Sequence, residues 1–269
     1  MSRRTKTIEI FLLALVTFGV QTAAHAHYQW LSPNFFVDSR EKAWLSFDHT
    51  FGDQRFHPDS GPSSYYRWWI VGPDGLRRSF PNMYLGKTKT VGEVELTEPG
   101  TYRLEAEEAF MSWTLLKIDG KDVWQPGRRD DFTDSEVVSS RLYFNKSMAY
   151  VTLGTETDSV LEMSGDPLEI LFSDHPNKAR PGGSLGIRVM ANGAPLANQE
   201  VNIFAEGGSG HDATDVCTTD KQGQCRIRTK TTGRFLLATR RTLDEPQGDG
   251  TDGYSHSVTV MFEVRDSSN

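Results

Sequence analysis

The run Ala24-His25-Ala26-His27 gathers the residues best suited to bind a metal. If the chain is cut after Ala26, His27 becomes its first residue, and the free amino nitrogen and ring Nδ1 form a chelate for one divalent ion. If the cut follows Ala24, the chain begins His25-Ala26-His27. A histidine third from a free amino end binds Cu(II) or Ni(II) through the amine, two backbone nitrogens and the ring. Amine and imidazole nitrogens suit both ions in square-planar geometry. In a brace built on His27, one more imidazole must come from a nearby strand end. His49, which continues the inward face of Leu45 and Phe47, qualifies by pattern, and so does His256, which shares a face with Val258 and Val260. Asp48, His49, Asp53 and His57 supply the atom types of a borderline divalent site, without the spacing of an established motif. His57 otherwise reads as a loop residue and His175, before Pro176-Asn177, as a turn residue. His211, with Asp212 and Asp215 on a glycine-rich loop, reads as a second metal site or a linker.

Two cysteines, Cys217 and Cys225, flank Thr218–Gln224, which reads as a hairpin turn. In an exported chain such a pair is expected to form a disulfide. A metal-thiolate pair and a reduced structural pair are the alternatives. Enzymatic signatures are sparse: there is no Gly-x-Ser-x-Gly elbow and no His-Glu-x-x-His. A copper oxidative enzyme built on a His27 brace stays open. Tyr65-Tyr66-Arg67-Trp68-Trp69, with Trp30 and Trp44, offers either core aromatics or a stacking surface.

Arg3, Arg4 and Lys6, an apolar run from Ile10 to Val20 and the small-x-small Ala24-His25-Ala26 follow the order of a secretory signal peptide. The apolar run is well short of the ~20 residues that span a bilayer. Residues 1–26 are therefore expected to be a cleaved leader, and the exported product to have no stable membrane insertion. The 269-residue chain carries a formal charge of −7, and the 11% aromatic content argues for a packed core. Removing Arg3, Arg4, Lys6 and Glu9 leaves about −9. A chain this acidic, without a basic block, is a poor nucleic-acid ligand.

Strand patterns dominate. Ala43, Leu45 and Phe47 alternate with Trp44, Ser46 and Asp48. Gly72-Pro73-Asp74-Gly75 and Asn192-Gly193 mark turns. Pro99-Gly100-Thr101-Tyr102 resembles the corner at which a tyrosine anchors an immunoglobulin-like strand. A polar stretch from Gln125 to Ser140 reads as a long loop. On the last strand Val258, Val260, Phe262 and Val264 share one face, opposite Thr259 and Glu263. Regular short strands with Gly/Pro turns predict an all-β chain. It is divided into a leader (1–26), an N-terminal β-sandwich (27–164, long loop near 125–140) and a C-terminal immunoglobulin-like β-sandwich (165–269).

Several stretches carry a resemblance: His27-Tyr28-Gln29-Trp30-Leu31, Val71–Gly75, Glu98–Arg103, Gly165–Glu169 through His175-Pro176-Asn177, Asn192–Val201, Thr219–Gly223 and Tyr254–Ser257. With these the chain resembles the NikM-like family of exported proteins associated with nickel/cobalt uptake, a domain of unknown function. The resemblance implies tandem immunoglobulin-like or transthyretin-like sandwiches, a periplasmic location and an association with metal uptake. The cysteine pair, the 125–140 stretch and the His211 loop depart from the family pattern. The expected function is an exported protein that binds Ni, Co or Cu through His27, His49, His256 and His57. A membrane transporter or TonB-dependent outer-membrane receptor is its expected partner. The competing expectations are a tandem-sandwich interaction or scaffold module without metal, and the copper oxidative enzyme.

Overall fold

A computed structural model describes residues 28–59, 66–108, 111–209, 211–246, 248 and 250–266. The first strands are β1 (Tyr28–Pro33), β2 (Val37–Asp38), β3 (Ala43–Gly52), β4 (Tyr66–Val71), β5 (Arg77–Ser79), β6 (Asn82–Leu85) and β7 (Thr90–Leu96). Next come β8 (Gly100–Glu108), β9 (Met111–Ile118), β10 (Lys121–Pro126) and the long β11 (Glu136–Leu153). The remainder holds β12 (Leu168–Phe172), β13 (Gly183–Ala191), β14 (Ala194–Pro195), β15 (Glu200–Ala205), β16 (Asp215–Thr218), β17 (Gln224–Thr229), β18 (Gly233–Leu243) and β19 (Gly253–Val264). Helix is confined to three short 3-10 turns among the described residues.

The all-β expectation holds, and the two halves share a sheet. A four-stranded sheet, β1-β3-β7-β6, lies on one side, and another built from β12, β13, β14 and β17 lies on the other. Between them runs an eleven-stranded sheet with strands from both halves. Its seam is the parallel pairing of β11 with β19, from Arg141↔Gly253 to Ala149↔Met261. The expected boundary near residue 164 therefore marks a connection between β11 and β12, while the central sheet continues across it.

Side-chain alternation explains the layering, because successive residues of a strand face opposite ways. Met148, Tyr150, Val258, Val260 and Phe262 enter the core under the β12–β13 sheet. Ala149, Val151, Leu153 and Met261 enter the core under the β1–β3 sheet. The second face of β19 is thus covered as well: Thr259 and Met261 are both buried. Strands covered on both faces lose the apolar/polar alternation of a one-sided strand.

Local signals place the turns. Asn192 and Gly193 both have positive φ between β13 and β14, the tight-turn geometry their types favour. Tyr102 Oη donates to Glu98 O at 2.6 Å, the corner bond expected of the Pro-Gly-Thr-Tyr run. The long loop expected over 125–140 shrinks to 127–135. Lys121–Pro126 pairs with β9 as an edge strand, and β11 already begins at Glu136. Only Gln125 and Pro126 of β10 fall within the expected loop, and its exposed Lys121 and Asp122 suit an edge.

Cys217 and Cys225 form a disulfide, and its setting differs from a hairpin. Cys217 lies on β16, at the border of the central sheet, and Cys225 on β17, in the outer sheet. The intervening turn carries the chain from one sheet to the other. It is held by Asp220 Oδ1, which accepts from the backbone N–H groups of Gln222 and Gln224. A formed disulfide is at home in an oxidising, extracytoplasmic compartment. No helix among the described residues is long and apolar enough to cross a membrane. Replacing both cysteines with serine is expected to lower the unfolding free energy by about 2–3 kcal/mol, the chain-entropy value for so short a loop. Urea titration checks this as a lower midpoint at constant m, and an unchanged midpoint contradicts a stapling role.

Candidate functional site

A row of polar side chains crosses the central sheet on its β1-facing side. Tyr66 stands opposite Glu108, Asn145 opposite Ser257, and Ser257 opposite Arg240. Asn145 links the row: its Nδ2 donates to Glu108 Oε2, and its Oδ1 accepts from Ser257 Oγ. Glu108 is 8% exposed and forms no ion pair among the described residues. Burial pushes its carboxyl pKa above the ordinary glutamate range, with Asn145 and Tyr66 opposing the shift. Tyr66 Oη lies near Glu108 and Asn145 without a hydrogen bond of good geometry.

The first described strand ends beside this row. Thr259 Oγ1 donates to Gln29 O at 2.8 Å, and Arg234 Nη1 donates to Ser32 Oγ at 2.8 Å. Arg234 pairs with Glu263 in register, so β1 runs in the same direction as β19. The Tyr28 ring lies between the guanidinium groups of Arg55, 4.8 Å away, and Arg240, 5.6 Å away. Gln29 turns the other way and meets His49.

His49 is fully buried and has both ring nitrogens engaged. Trp68 Nε1 donates to Nδ1 at 3.0 Å, so the proton sits on Nε2, which donates to Gln29 Oε1 at 3.1 Å. Burial pushes its pKa down to about 3, which keeps the ring neutral. Tyr66 packs edge-on against it at 4.9 Å. Gln29 Nε2 is buried with no hydrogen-bond partner among the described residues. To bind a metal, His49 must give up one of its two hydrogen bonds.

The other histidines lie apart. His256 shares a face with Val258 and Val260, so it lies on the opposite side of the central sheet from His49 and β1. It stacks on Tyr254 at 5.9 Å, and burial, with Arg241 adding to it, lowers its pKa. His57 is exposed, its Nδ1 3.3 Å from Arg55 O. Asp48 points away from His49 and pairs with Lys89 at 2.7 Å. The set Asp48, His49, Asp53 and His57 is therefore not assembled around one point. His175 caps a 3-10 turn through Nδ1, and its Nε2 meets Thr101 Oγ1 at 2.9 Å. His211 is exposed on its loop. His25 and His27 lie outside the described residues. Among the described residues no three His, Cys, Asp or Glu side chains form a group able to hold a metal ion.

Glu108 and Asn145 are site residues that the sequence reading left out. Glu108 did leave a sign: it follows Tyr102, Leu104 and Ala106 on one face of β8, an acid at the end of an apolar row.

Comparison with solved structures finds the D0-D1 domain of intimin at 13% identity, covering 86% of this chain and 96% of that one, with a TM-score of 0.22. The human OSCAR ligand-binding domain matches at 13% identity, 86% and 95% coverage and a TM-score of 0.20. A trypsin-activated alpha-2-macroglobulin from Escherichia coli matches at 9% identity, 88% of this chain and 16% of that one, with a TM-score of 0.22. No curated protein matches the chain. A family model described as Domain of unknown function (DUF4198) matches residues 24–242, and the chain belongs to that family.

Proposed function

We propose that the protein is an exported metal-handling protein of the periplasm, accessory to nickel, cobalt or copper uptake in the manner of NikM-like proteins. It would hold one divalent ion at an amino end beginning with His27, through the amine and ring Nδ1. The observation that supports this reading is the anchoring of Tyr28, the residue after His27, on the same side of the central sheet as Glu108, a buried carboxylate with no ion pair among the described residues. A transporter or outer-membrane receptor would receive the ion by ligand exchange. The histidine ring must be neutral to coordinate, so affinity should fall as pH drops below ~6.5.

The test is an added amino-terminal Met. It blocks the amine without touching any described residue. Cu(II) and Ni(II) affinities of the cleaved chain and the extended chain, measured by competition with a chelator, are expected to differ by about 100-fold or more, roughly 3 kcal/mol. Equal affinities remove His27 from the site.

A scaffold module without metal is the second reading. It is favoured by Trp44 and Tyr84, each 59% exposed, on the outer face of the β1-β3-β7-β6 sheet. It predicts melting of the cleaved protein that neither ion changes.

A further inference from the structure

Two outward sheet faces carry opposite charges. The first belongs to the β1-β3-β7-β6 sheet. Ala43, Leu45, Phe47 and Leu96 enter the core, so by alternation Trp44, Ser46, Glu93 and Glu95 turn outward. Ser46 and Asn82 stand opposite Glu93 on the two neighbouring strands. Trp44 and Tyr84 therefore take the diagonal positions on either side of Glu93. Both aromatic side chains are 59% exposed. Glu95 meets Lys42 at 3.6 Å, and Glu93 forms no ion pair among the described residues.

The second face belongs to the sheet of β12, β13, β14 and β17, on the far side of the central sheet. Leu185, Ile187 and Ile227 enter the core, which turns Arg188, Arg226 and Arg228 outward on two adjacent strands. Arg226 is tied to Ser184 Oγ at 3.0 Å and to Asp174 at 3.3 Å. Arg228 is exposed and forms no ion pair among the described residues. Arg188 Nε is buried without a hydrogen-bond partner among them. Arg226 and Arg228 also border an open groove of about 480 Å³, lined further by Val216 and the Cys217–Cys225 disulfide. Cations on an edge strand deter strand pairing, but that does not account for Arg188, because β13 lies between β12 and β17. Nor does the composition, since the chain is formally −7. Copies of so acidic a protein repel one another unless faces of opposite charge meet.

We propose that the partner of each face is a second copy of this chain: the Trp44, Glu93 and Tyr84 face of one copy packs on Arg188, Arg226 and Arg228 of the next. A guanidinium group stacks on aromatic rings and pairs in a fork with a carboxylate, so one face supplies what the other binds. Trp, Tyr and Arg are also the side chains that most often dominate binding at protein interfaces. The central sheet separates the two faces, so a single molecule cannot join them to each other. The contact is head-to-tail, and each pair keeps one face of each kind open to further copies. This gives the exposed Trp44 and Tyr84 of the metal-free reading a partner, and it does not rest on His27.

The experiment is sedimentation velocity of the exported chain with a chelator present, so that metal binding at any site plays no part in the outcome. The sedimentation coefficient of wild type is expected to rise with protein concentration at low salt and to fall back at about 0.5 M salt, where exposed charges are screened. Glu93→Lys and Arg228→Glu change outward positions, and their melting is expected to match wild type. Each is expected to weaken association by about tenfold or more. Mixing the two variants is the sharper test. One keeps its arginine face and the other its aromatic face, so together they are expected to form a pair of one copy each that grows no further. A wild type that sediments as a monomer at every concentration overturns the proposal. Association that both variants leave unchanged overturns it too, as do variants that fail to pair when mixed.

Discussion

Lys146→Met is expected to destabilise the protein by about 3–5 kcal/mol, the range for removing one partner from a buried ionic cluster. Lys146 is 1% exposed. Its Nζ lies 3.1 Å from Glu105 Oε1, 3.2 Å from Glu107 Oε1 and 2.5 Å from Asp166 Oδ2. Arg103 bonds Glu105 at 2.8 Å and Val160 O at 2.8 Å, and Arg77 reaches Glu105 at 2.8 Å. Three cations thus face three carboxylates, and the set ties the connection after β11 to the central sheet. Burial opposes the charge on Lys146, but Glu105 and Asp166 outweigh it and hold the ammonium above its ordinary pKa. Burial likewise pushes Glu105 up, and Lys146 and Arg103 more than reverse it. Methionine fills the space but leaves the acids one cation short. Urea unfolding at pH 7.5 reads the loss, and adding Glu105→Gln to Lys146→Met should recover part of it, since the two sites are in contact. A loss below about 1 kcal/mol contradicts the importance of the cluster.

Acidification is expected to cost stability through His49. Its folded pKa of about 3 lies below the ordinary 6.5. Between these values the unfolded chain binds a proton that the folded chain refuses, so stability rises with pH across that window and is complete above ~6.5. From pH 8 to pH 5 this one ring accounts for about 2 kcal/mol. His175, whose pKa burial also lowers, acts in the same direction. His49→Leu tests the assignment. It leaves Trp68 Nε1 and Gln29 without their partner, which costs about 1–3 kcal/mol at pH 8, and it removes the ring's share of the pH dependence. Urea midpoints at pH 8 and pH 5 should therefore lie closer together in the variant than in wild type. An undiminished gap assigns the acid sensitivity to other groups.

Much of the fold was legible because strand signals are local. The alternation of Ala43, Leu45 and Phe47 gives β3, the Pro-Gly-Thr-Tyr run gives the Tyr102 corner, and Asn192-Gly193 gives a tight turn. The shared central sheet was not legible. It depends on pairing residues 141–149 with 253–261, more than 100 positions away, and its local trace was only Met261 interrupting the polar face of the last strand. The end of β10, Gln125 and Pro126, read as loop because a polar, turn-rich stretch follows it directly. The cysteine pair was visible as a disulfide, but not as a link between two sheets, since that depends on where β15 and β13 lie.

The candidate site divides the same way. The face of His49 followed from alternation, but its hydrogen bonds to Trp68 and Gln29 come from two other strands. His256 looked equivalent to His49 because each extends an apolar face; only the layering shows that the faces belong to opposite sides of one sheet. Glu108 was marked by its place on the face of Leu104 and Ala106, whereas Asn145, 37 residues on, becomes its partner only once β8 and β11 lie side by side.

Native mass spectrometry of the protein exported by its own leader, with and without one equivalent of Cu(II) or Ni(II), tests the central claim most directly. It reads the first residue and the metal count from the same molecule. The account predicts a chain beginning at His27 that retains one ion. A chain beginning at His27 that retains neither ion contradicts it.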